Sequence, residues 1–328
     1  GENFTKIKEY KKALQWLNEA EKLNDGIAAI QISEVYEKLA NRYARAHNYK
    51  EALKLYEKAL NVRDKKLQNK IDKIKKLLDH QSKLTEDTRK AVTKSSPPWT
   101  HAVGRLIIPT KLQFINEKQY TTKNKKCSAT LVNLAPNTDS SIIVTASHCL
   151  TQYDKTAGPL KFIIQNNKKI MIYRIANIEF DSKFQIKKMK TTTDFAILSL
   201  HEPISTDDVK AMVIQKKSFA DLQTRTVKNF GSLAGFSGDI AQYGEKLTYD
   251  PNCRLKSYNS MYGASTCSGF NGASGGPIVL TTTNDDKNFK YYYVGVVSHF
   301  RNKNYKNIYF APHHIFYDRL EKIIRDFN

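Results

Sequence analysis

The pattern of apolar and polar positions changes in character partway along this chain of 328 residues. Up to about residue 94, apolar residues recur at helical spacing and share one helical face, as do Ala13, Leu14, Leu17 and Ala20. After Thr100 the chain consists of short β-branched and aromatic runs separated by Gly, Asn, Asp and Pro, which is typical of an all-β domain. The pattern therefore predicts a multidomain α + β protein, with an α-helical half followed by a β half.

The helical half contains an internal repeat. The segment EYKKALQWLNEAEKL aligns with NYKEALKLYEKALNV and places Tyr10 over Tyr49 and Ala13 over Ala52. Such a repeat indicates a stacked helical array, in which small alanines let neighbouring helices approach closely. The second segment and the helix before it resemble the tetratricopeptide repeat signature at Tyr36, Leu39, Ala40, Tyr43, Ala52, Tyr56 and Ala59. The resemblance implies a docking module whose concave face binds a peptide or protein. The alternative is a helical hairpin or coiled coil without a partner.

The two halves meet at KSSPPWT, residues 94–100, because adjacent prolines end helices and hold the chain extended. We expect a helical module at 1–94, a linker at 95–101 and a β domain at 102–328. Eight runs are candidate strands: GRLIIP, CSATLV, SIIVTA, LKFIIQ, KIMIYRIA, DFAILSL, GPIVL and YYYVGVVSHF. The segment HIFYDRLEKIIRDF returns to helical spacing, so the β domain should carry a C-terminal helix and form a pair of barrels or a sandwich.

Three segments at strand ends carry residues suited to nucleophilic catalysis. They are IVTASHC with His148, TTTDFAILSL with Asp194, and GFNGASGGPIV with Ser274. A serine hydroxyl is a weak nucleophile at neutral pH, so a histidine must accept its proton and a carboxylate must orient that histidine. Each residue alone has an ordinary interpretation, as a core histidine, a helix or turn cap, or a turn serine.

The order of these residues and their flanks resemble the trypsin/chymotrypsin-like serine proteases, from about residue 102 to the C-terminus. The resemblance implies a double β-barrel that hydrolyses peptide bonds through an acyl-enzyme, with no cofactor. It assigns His148 as general base, Asp194 as its partner and Ser274 as nucleophile, with an oxyanion hole formed by Gly272 and Ser274. VGRLI, CSATLV and AGFSGD are more similar to the bacterial branch that includes the glutamyl endopeptidases.

The resemblance also locates a substrate-binding pocket, with Ser268 at its base and Ser298, His299 and Phe300 in a wall strand. The base carries no acid, which argues against cleavage after Arg or Lys. The glutamyl branch has a histidine where this chain has Val297, and Phe300 replaces a glycine that keeps the pocket open. We therefore expect a narrowed pocket and a protein substrate drawn from few targets.

Ala273 occupies the position at which digestive proteases of this family carry an aspartate that pairs with a newly formed N-terminus. Without that carboxylate, this form of activation cannot operate. We expect control or substrate choice to be delegated to the helical module. The competing hypothesis is a catalytically silent binding platform of protease fold.

The four cysteines extend the resemblance. It implies a disulfide between Cys127 and Cys149, and Cys253 and Cys267 flank the loop before Ser274 and can form a second. Paired cysteines favour a secreted or periplasmic protein; the alternative is four reduced, buried cysteines in the cytoplasm. No cysteines form a CxxC pair, so no metal site is expected.

The net charge of +21 raises nucleic acid as a partner. The lysines are dispersed without a long basic block or a nucleic-acid-binding motif, so we expect no specific nucleic acid. No apolar run is long enough for a transmembrane segment.

Overall fold

A computed structural model describes the chain at residues 2–21, 26–45, 48–60, 65–82, 88–116, 119–166, 169–180, 191–218, 221–222, 230–238, 246–258, 262–269, 271–283, 289–301 and 307–327. The chain divides into two compact units, Gly1–Glu86 and Asp87–Asn328. None of the described helices is both long and apolar enough to cross a membrane.

The first unit contains four helices: α1 (Glu2–Glu21), α2 (Gly26–Arg45), α3 (Tyr49–Ala59) and α4 (Lys65–Ser82). Asn48 precedes α3 as its N-cap, and its side chain accepts a hydrogen bond from Glu51 N–H and so satisfies a free donor of the first turn. Ala40 and Ala52 are fully buried, which fits the close approach of α2 and α3. A hydrogen bond of 2.8 Å from the Tyr56 hydroxyl to an Asn41 oxygen joins the same two helices. The predicted helical half is confirmed, while its identity as a tetratricopeptide array stays a prediction.

The second unit is built from two closed barrels of six antiparallel strands. The first barrel contains β2 (Val103–Asn116), β3 (Gln119–Asn133), β4 (Ser140–Thr145), β5 (Lys161–Gln165), β6 (Ile170–Phe180) and β7 (Ala196–Ile204), and it closes between β2 and β3. The second contains β9 (Phe230–Gly235), β10 (Thr248–Tyr258), β11 (Tyr262–Ser265), β12 (Pro277–Thr283), β13 (Phe289–Arg301) and β14 (Asn307–Pro312), and it closes between β9 and β10. Closure removes exposed sheet edges. The predicted double β-barrel is thus confirmed.

Two short strands and two helices complete this unit. Strand β1 (Lys90–Ala91) pairs with β10, and β8 (Met212–Val213) runs parallel to the end of β3. Helix α5 (Ser147–Leu150) follows β4, and α6 (Tyr317–Phe327) is the predicted C-terminal helix. Apolar residues at helical spacing bury one face of α6 in the core, and just before it Phe316 stacks on Phe195 with ring centroids 4.8 Å apart.

The division between the units falls before the expected boundary at residue 94. Strand β1 already belongs to the second unit because Lys90 and Ala91 are in register with Tyr249 and Thr248. The expected linker 95–101 also lies within this unit, where Pro98–Ala102 form a 3-10 helix with buried Trp99.

All eight runs predicted as strands lie on strands, and the structure adds β1, β8, β9, β10, β11 and β14. Glycines interrupt the apolar pattern of β9 and β11, and β10 carries a proline and charged residues beside a register shift between Asp250 and Cys253. These six strands are short or irregular, so their sequences lack the alternation that indicates a strand.

Candidate active site

Helix α5 brings His148 against Asp194. The His148 backbone N–H donates to Asp194 Oδ1 at 2.9 Å, and Nδ1 lies 2.8 Å from Oδ2 of the same carboxylate. Two contacts to the two carboxylate oxygens fix both the backbone and the ring of the histidine. When Nδ1–H donates to the carboxylate, Nε2 is the ring nitrogen whose lone pair can act as a base.

The Asp194 carboxylate is ionised although its side chain is fully buried. Burial alone raises the pKa of this carboxyl. The hydrogen bonds and charge of His148, together with the Ser298 hydroxyl, lower it by more than burial raises it, so the pKa lies below its ordinary value. Ser298 Oγ donates to Oδ2. A buried negative charge beside Nδ1 favours a protonated imidazole during a reaction.

The Ser274 loop is hydrogen-bonded to β3 of the first barrel and β13 of the second. Ser274 O accepts the Ser128 N–H at 2.8 Å, and Gly275 N–H donates to Val297 O at 2.9 Å. Gly275 has φ +84°, and a Cβ there would lie 2.2 Å from both Ser128 O and Thr145 Oγ1. Only glycine permits this conformation and approach. The loop therefore lies beside Thr145, at the end of the strand that leads to His148.

In the described part of the chain, the Ser274 hydroxyl makes no hydrogen bond to His148. Catalytic hydrogen bonds of this kind are often long before substrate binds. The side chain of Ser274 is half-buried and that of His148 is 20% exposed, so both are accessible to a substrate from solvent.

Both peptide groups around Gly272 are held in place. Asn271 O accepts the Gly238 N–H at 2.8 Å, and Gly272 O accepts the Ser128 hydroxyl at 2.8 Å. In a trans peptide the N–H points opposite to the carbonyl, so the first contact turns Gly272 N–H away from Gly238. Gly272 has φ +103°, and a Cβ there would meet Phe236 O at 2.3 Å. The conformation therefore requires glycine.

Ala273 is fully buried in the apolar core of the second barrel, in one cluster with Leu233, Cys267 and Ile278. No polar group is needed at this position, and a carboxylate there would be costly without a partner.

The residues expected to bind substrate have distinct surroundings. Ser268 N–H donates to Asp250 Oδ2 at 2.6 Å. The Ser298 hydroxyl is directed at Asp194 and accepts from His299 Nδ1 at 3.0 Å, so the two imidazoles and Ser298 form one hydrogen-bonded chain through the carboxylate. Phe300 lies on β13 opposite Ile308, and its side chain lies outside the described part of the chain.

His299 also stacks on Tyr309, with ring centroids 5.2 Å apart. Burial lowers the pKa of His299; Asp194 raises it and His148 lowers it, and the net shift is downward. The imidazole is therefore neutral at pH 7, with Nδ1–H as donor. Val297 is fully buried and belongs to the apolar core.

Sequence reasoning missed two residues of this site, Ser128 and Lys125. Lys125 Nζ donates to His148 O at 2.8 Å, and burial lowers its pKa while Asp194 raises it, with a net downward shift. Both residues are close to Cys127 in sequence, whose predicted partner Cys149 follows His148. This proximity to the cysteine is the sequence signal that could have located them.

Both expected disulfides are present, Cys127–Cys149 between β3 and α5 and Cys253–Cys267 between β10 and the loop before Ser274. Cys127, His148 and Cys149 place ligand-type atoms within 4.8 Å of one another. A disulfide sulfur is not a thiolate, so these three residues do not form a metal site.

Comparisons with known proteins identify the family of the β domain. The family model described as Trypsin matches residues 109–319. Among solved structures, one titled "Structure of GrC" aligns at a TM-score of 0.51 and 14% identity, covering 72% of this chain and 98% of its own. The protease Anisep from Arthrobacter nicotinovorans aligns at a TM-score of 0.45 and 18% identity, covering 68% of this chain and 93% of its own. No curated protein matches the chain.

Proposed function

Because this chain belongs to the trypsin family, we propose that it is a serine endopeptidase that hydrolyses peptide bonds through an acyl-enzyme. The observation that carries the proposal is the buried, ionised Asp194 carboxylate, which binds both the backbone and Nδ1 of His148 beside the Ser274 loop. An isolated buried carboxylate is costly, and this one is oriented as a base-positioning group requires.

In the proposed reaction, Ser274 Oγ bonds to the substrate carbonyl carbon while its proton passes to His148 Nε2. The N–H groups of Gly272 and Ser274 bind the negative carbonyl oxygen of the tetrahedral intermediate. The C–N bond then breaks, and the amine leaves with the proton from Nε2. A water molecule attacks the acyl-enzyme by the same route in reverse, which releases the acid and restores the serine.

Labelling with a fluorophosphonate tests the nucleophile in the full chain. We expect the wild type to be labelled and Ser274→Ala not to be labelled. The exposed Ser95 gives a matched control, since Ser95→Ala removes a hydroxyl outside the proposed site and should be labelled as the wild type. An unlabelled wild type contradicts the proposal and favours a catalytically silent binding platform.

We further propose a selective enzyme of the glutamyl-endopeptidase-like branch, whose protein targets dock on the helical unit. The exposed Trp16 on α1 supports a binding surface there, because its side chain is 79% exposed. The sequence departs from that branch at Val297, which stands in place of a histidine, and at Phe300, which stands in place of a glycine. The disulfides and the absence of a described membrane-crossing helix are compatible with the proposed secreted or periplasmic location.

Capture with the inactive Ser274→Ala variant tests docking. A target should be retained by Ser274→Ala, lost in Ser274→Ala/Trp16→Ala, and cleaved by the wild type. Cleavage of the same target at equal rates by the wild type and Trp16→Ala would contradict docking at this surface. Peptide-library profiling of the wild type determines the preferred residue, and strong Arg or Lys cleavage would contradict the expected specificity.

A further inference from the structure

The buried carboxylate of Asp250 joins two segments that are distant in sequence. Asp250 lies on β10 with 1% of its surface exposed. Its Oδ2 accepts the backbone N–H of Ser268 at 2.6 Å, and its Oδ1 accepts the hydroxyl of Thr88 at 2.8 Å. The two hydrogen bonds use the two oxygens of one carboxyl group, so a single side chain joins Thr88 to Ser268.

Thr88 belongs to the segment that leads into the barrels. Two residues later the segment forms β1, which pairs with β10, and Val92 N–H then donates to Leu247 O at 3.0 Å. Residues 88–92 therefore lie along β10 as an added strand, and the Thr88 hydroxyl is the group that links this segment to the Asp250 carboxylate.

Ser268 belongs to the loop that ends at Ser274. The start of this loop is tied to β10 by a disulfide between Cys267 and Cys253 and by reciprocal contacts of Thr266 with Arg254, each of 2.9 Å. The Ser268–Asp250 bond is the last of these ties before the nucleophile. It fixes the Ser268 peptide, which the sequence assigns to the base of the specificity pocket.

We propose that Asp250 is a positioning residue that makes the segment 88–92 part of the specificity pocket. The inference rests on the proposed peptidase function. When Thr88 is bound, Asp250 is held in place and in turn orients the Ser268 peptide. Ala273 has no carboxylate to perform a comparable task from within the loop. The pocket is thus ordered by an internal strand of the same chain, and no newly cut N-terminus takes part.

The first test removes the Thr88 hydroxyl while keeping the shape of the side chain. In the full chain, Thr88→Val should lower kcat/KM for peptide amides by about tenfold through KM, the upper end of what one lost hydrogen bond costs. The rate of labelling by a small fluorophosphonate, which does not fill the pocket, should change less than about twofold on the same reasoning. Thr88→Ser keeps the hydroxyl and should restore kcat/KM.

Thr93→Val is the matched control, because the Thr93 hydroxyl contacts only Ser95 and Ser96 among the described residues. It should leave kcat/KM and labelling unchanged. Equal values for Thr88→Val and Thr88→Ser would overturn the proposal, as would equal losses of peptide cleavage and labelling in Thr88→Val.

Amide hydrogen exchange separates this proposal from the proposed function. Thr88→Val and Asp250→Asn should accelerate exchange of the Ser268 amide, while Thr88→Ser and Thr93→Val should not. This readout needs no catalysis. If the wild type is not labelled by the fluorophosphonate, the peptidase function fails, yet faster exchange still supports the coupling, and unchanged exchange overturns it.

Discussion

Ser128→Ala should impair catalysis more than its modest size suggests. Ser128 is fully buried on β3, and its Oγ accepts the Phe236 N–H at 2.9 Å while it donates to Gly272 O at 2.8 Å. The substitution removes one oxygen atom and leaves a donor and an acceptor without their partner. The peptide group that follows Gly272 then loses this contact, so the backbone of Gly272 is held only through the peptide group before it, by the Asn271–Gly238 hydrogen bond.

Ser128→Ala should lower both the free energy of unfolding and kcat. An unpaired buried polar group costs about 1–3 kcal/mol, so two such groups should lower the free energy of unfolding by about 2 kcal/mol or more. Removing a whole oxyanion donor costs about 10²–10³ in kcat, and a donor that is only misdirected should cost about 10- to 100-fold. KM should change little, because the donor acts on the transition state.

Steady-state kinetics and urea unfolding measure the two effects separately. Ser140→Ala is the control, because the Ser140 hydroxyl is also buried and also makes two hydrogen bonds, to Val132 O at 2.6 Å and from Ile142 N–H at 3.1 Å. It lies at the opposite end of β4 from His148 and should lower stability without lowering kcat. Equal kcat losses in the two variants, or a kcat for Ser128→Ala within twofold of wild type, would refute the reasoning.

Three further expectations follow. The folded-state pKa of Asp194 lies below its ordinary value. The ionised carboxylate therefore stabilises the fold above the unfolded pKa of about 3.9, and this stabilisation is lost as pH falls through the folded pKa. Urea unfolding should show a shallower loss of stability below about pH 4 in Asp194→Asn than in the wild type. Gly275→Ala should prevent fluorophosphonate labelling because the added Cβ would lie 2.2 Å from Ser128 O. Gly158→Ala is the control, since Gly158 also has a positive φ of +138° but its added Cβ would have its nearest contact at 3.7 Å. This variant should retain labelling and lose only about 1 kcal/mol of the free energy of unfolding, measured by thermal unfolding. Replacing Cys127 and Cys149 by Ala opens a loop with a sequence separation of 22 and should lower the free energy of unfolding by about 3 kcal/mol, and an unchanged midpoint would contradict this.

Sequence reasoning identified elements whose residues repeat a strong pattern. Strand β4 is a continuous apolar run and α6 has apolar residues at helical spacing, so both were predicted from periodicity. Strand β11 consists of Tyr-Gly-Ala-Ser, and its structure depends on pairing with β10 and β14. Pairing between distant segments does not produce a recognisable pattern within a few consecutive residues, so strands of this kind were not predicted.

Site residues, like strands, were predicted from sequence only where a local motif marks them. His148, Asp194 and Ser274 carry flanking motifs and were assigned from them, although their catalytic roles remain proposals. Ser128 was not assigned, because its importance comes from the position of its hydroxyl between Phe236 and Gly272. A hydroxyl that contacts two other segments of the fold has no characteristic spacing in sequence.

The helix α6 has a consequence for the timing of activity. Phe316 stacks on Phe195, the residue that follows Asp194, and Arg319 lies 5.7 Å from the same ring. Leu320 and Ile324 are in the same apolar cluster as the core of the first barrel. Until residues 316–324 have been synthesised, Phe195 lacks these contacts. We therefore expect the segment that carries Asp194 to reach its final position only after the C-terminal helix has been made and has packed on Phe195.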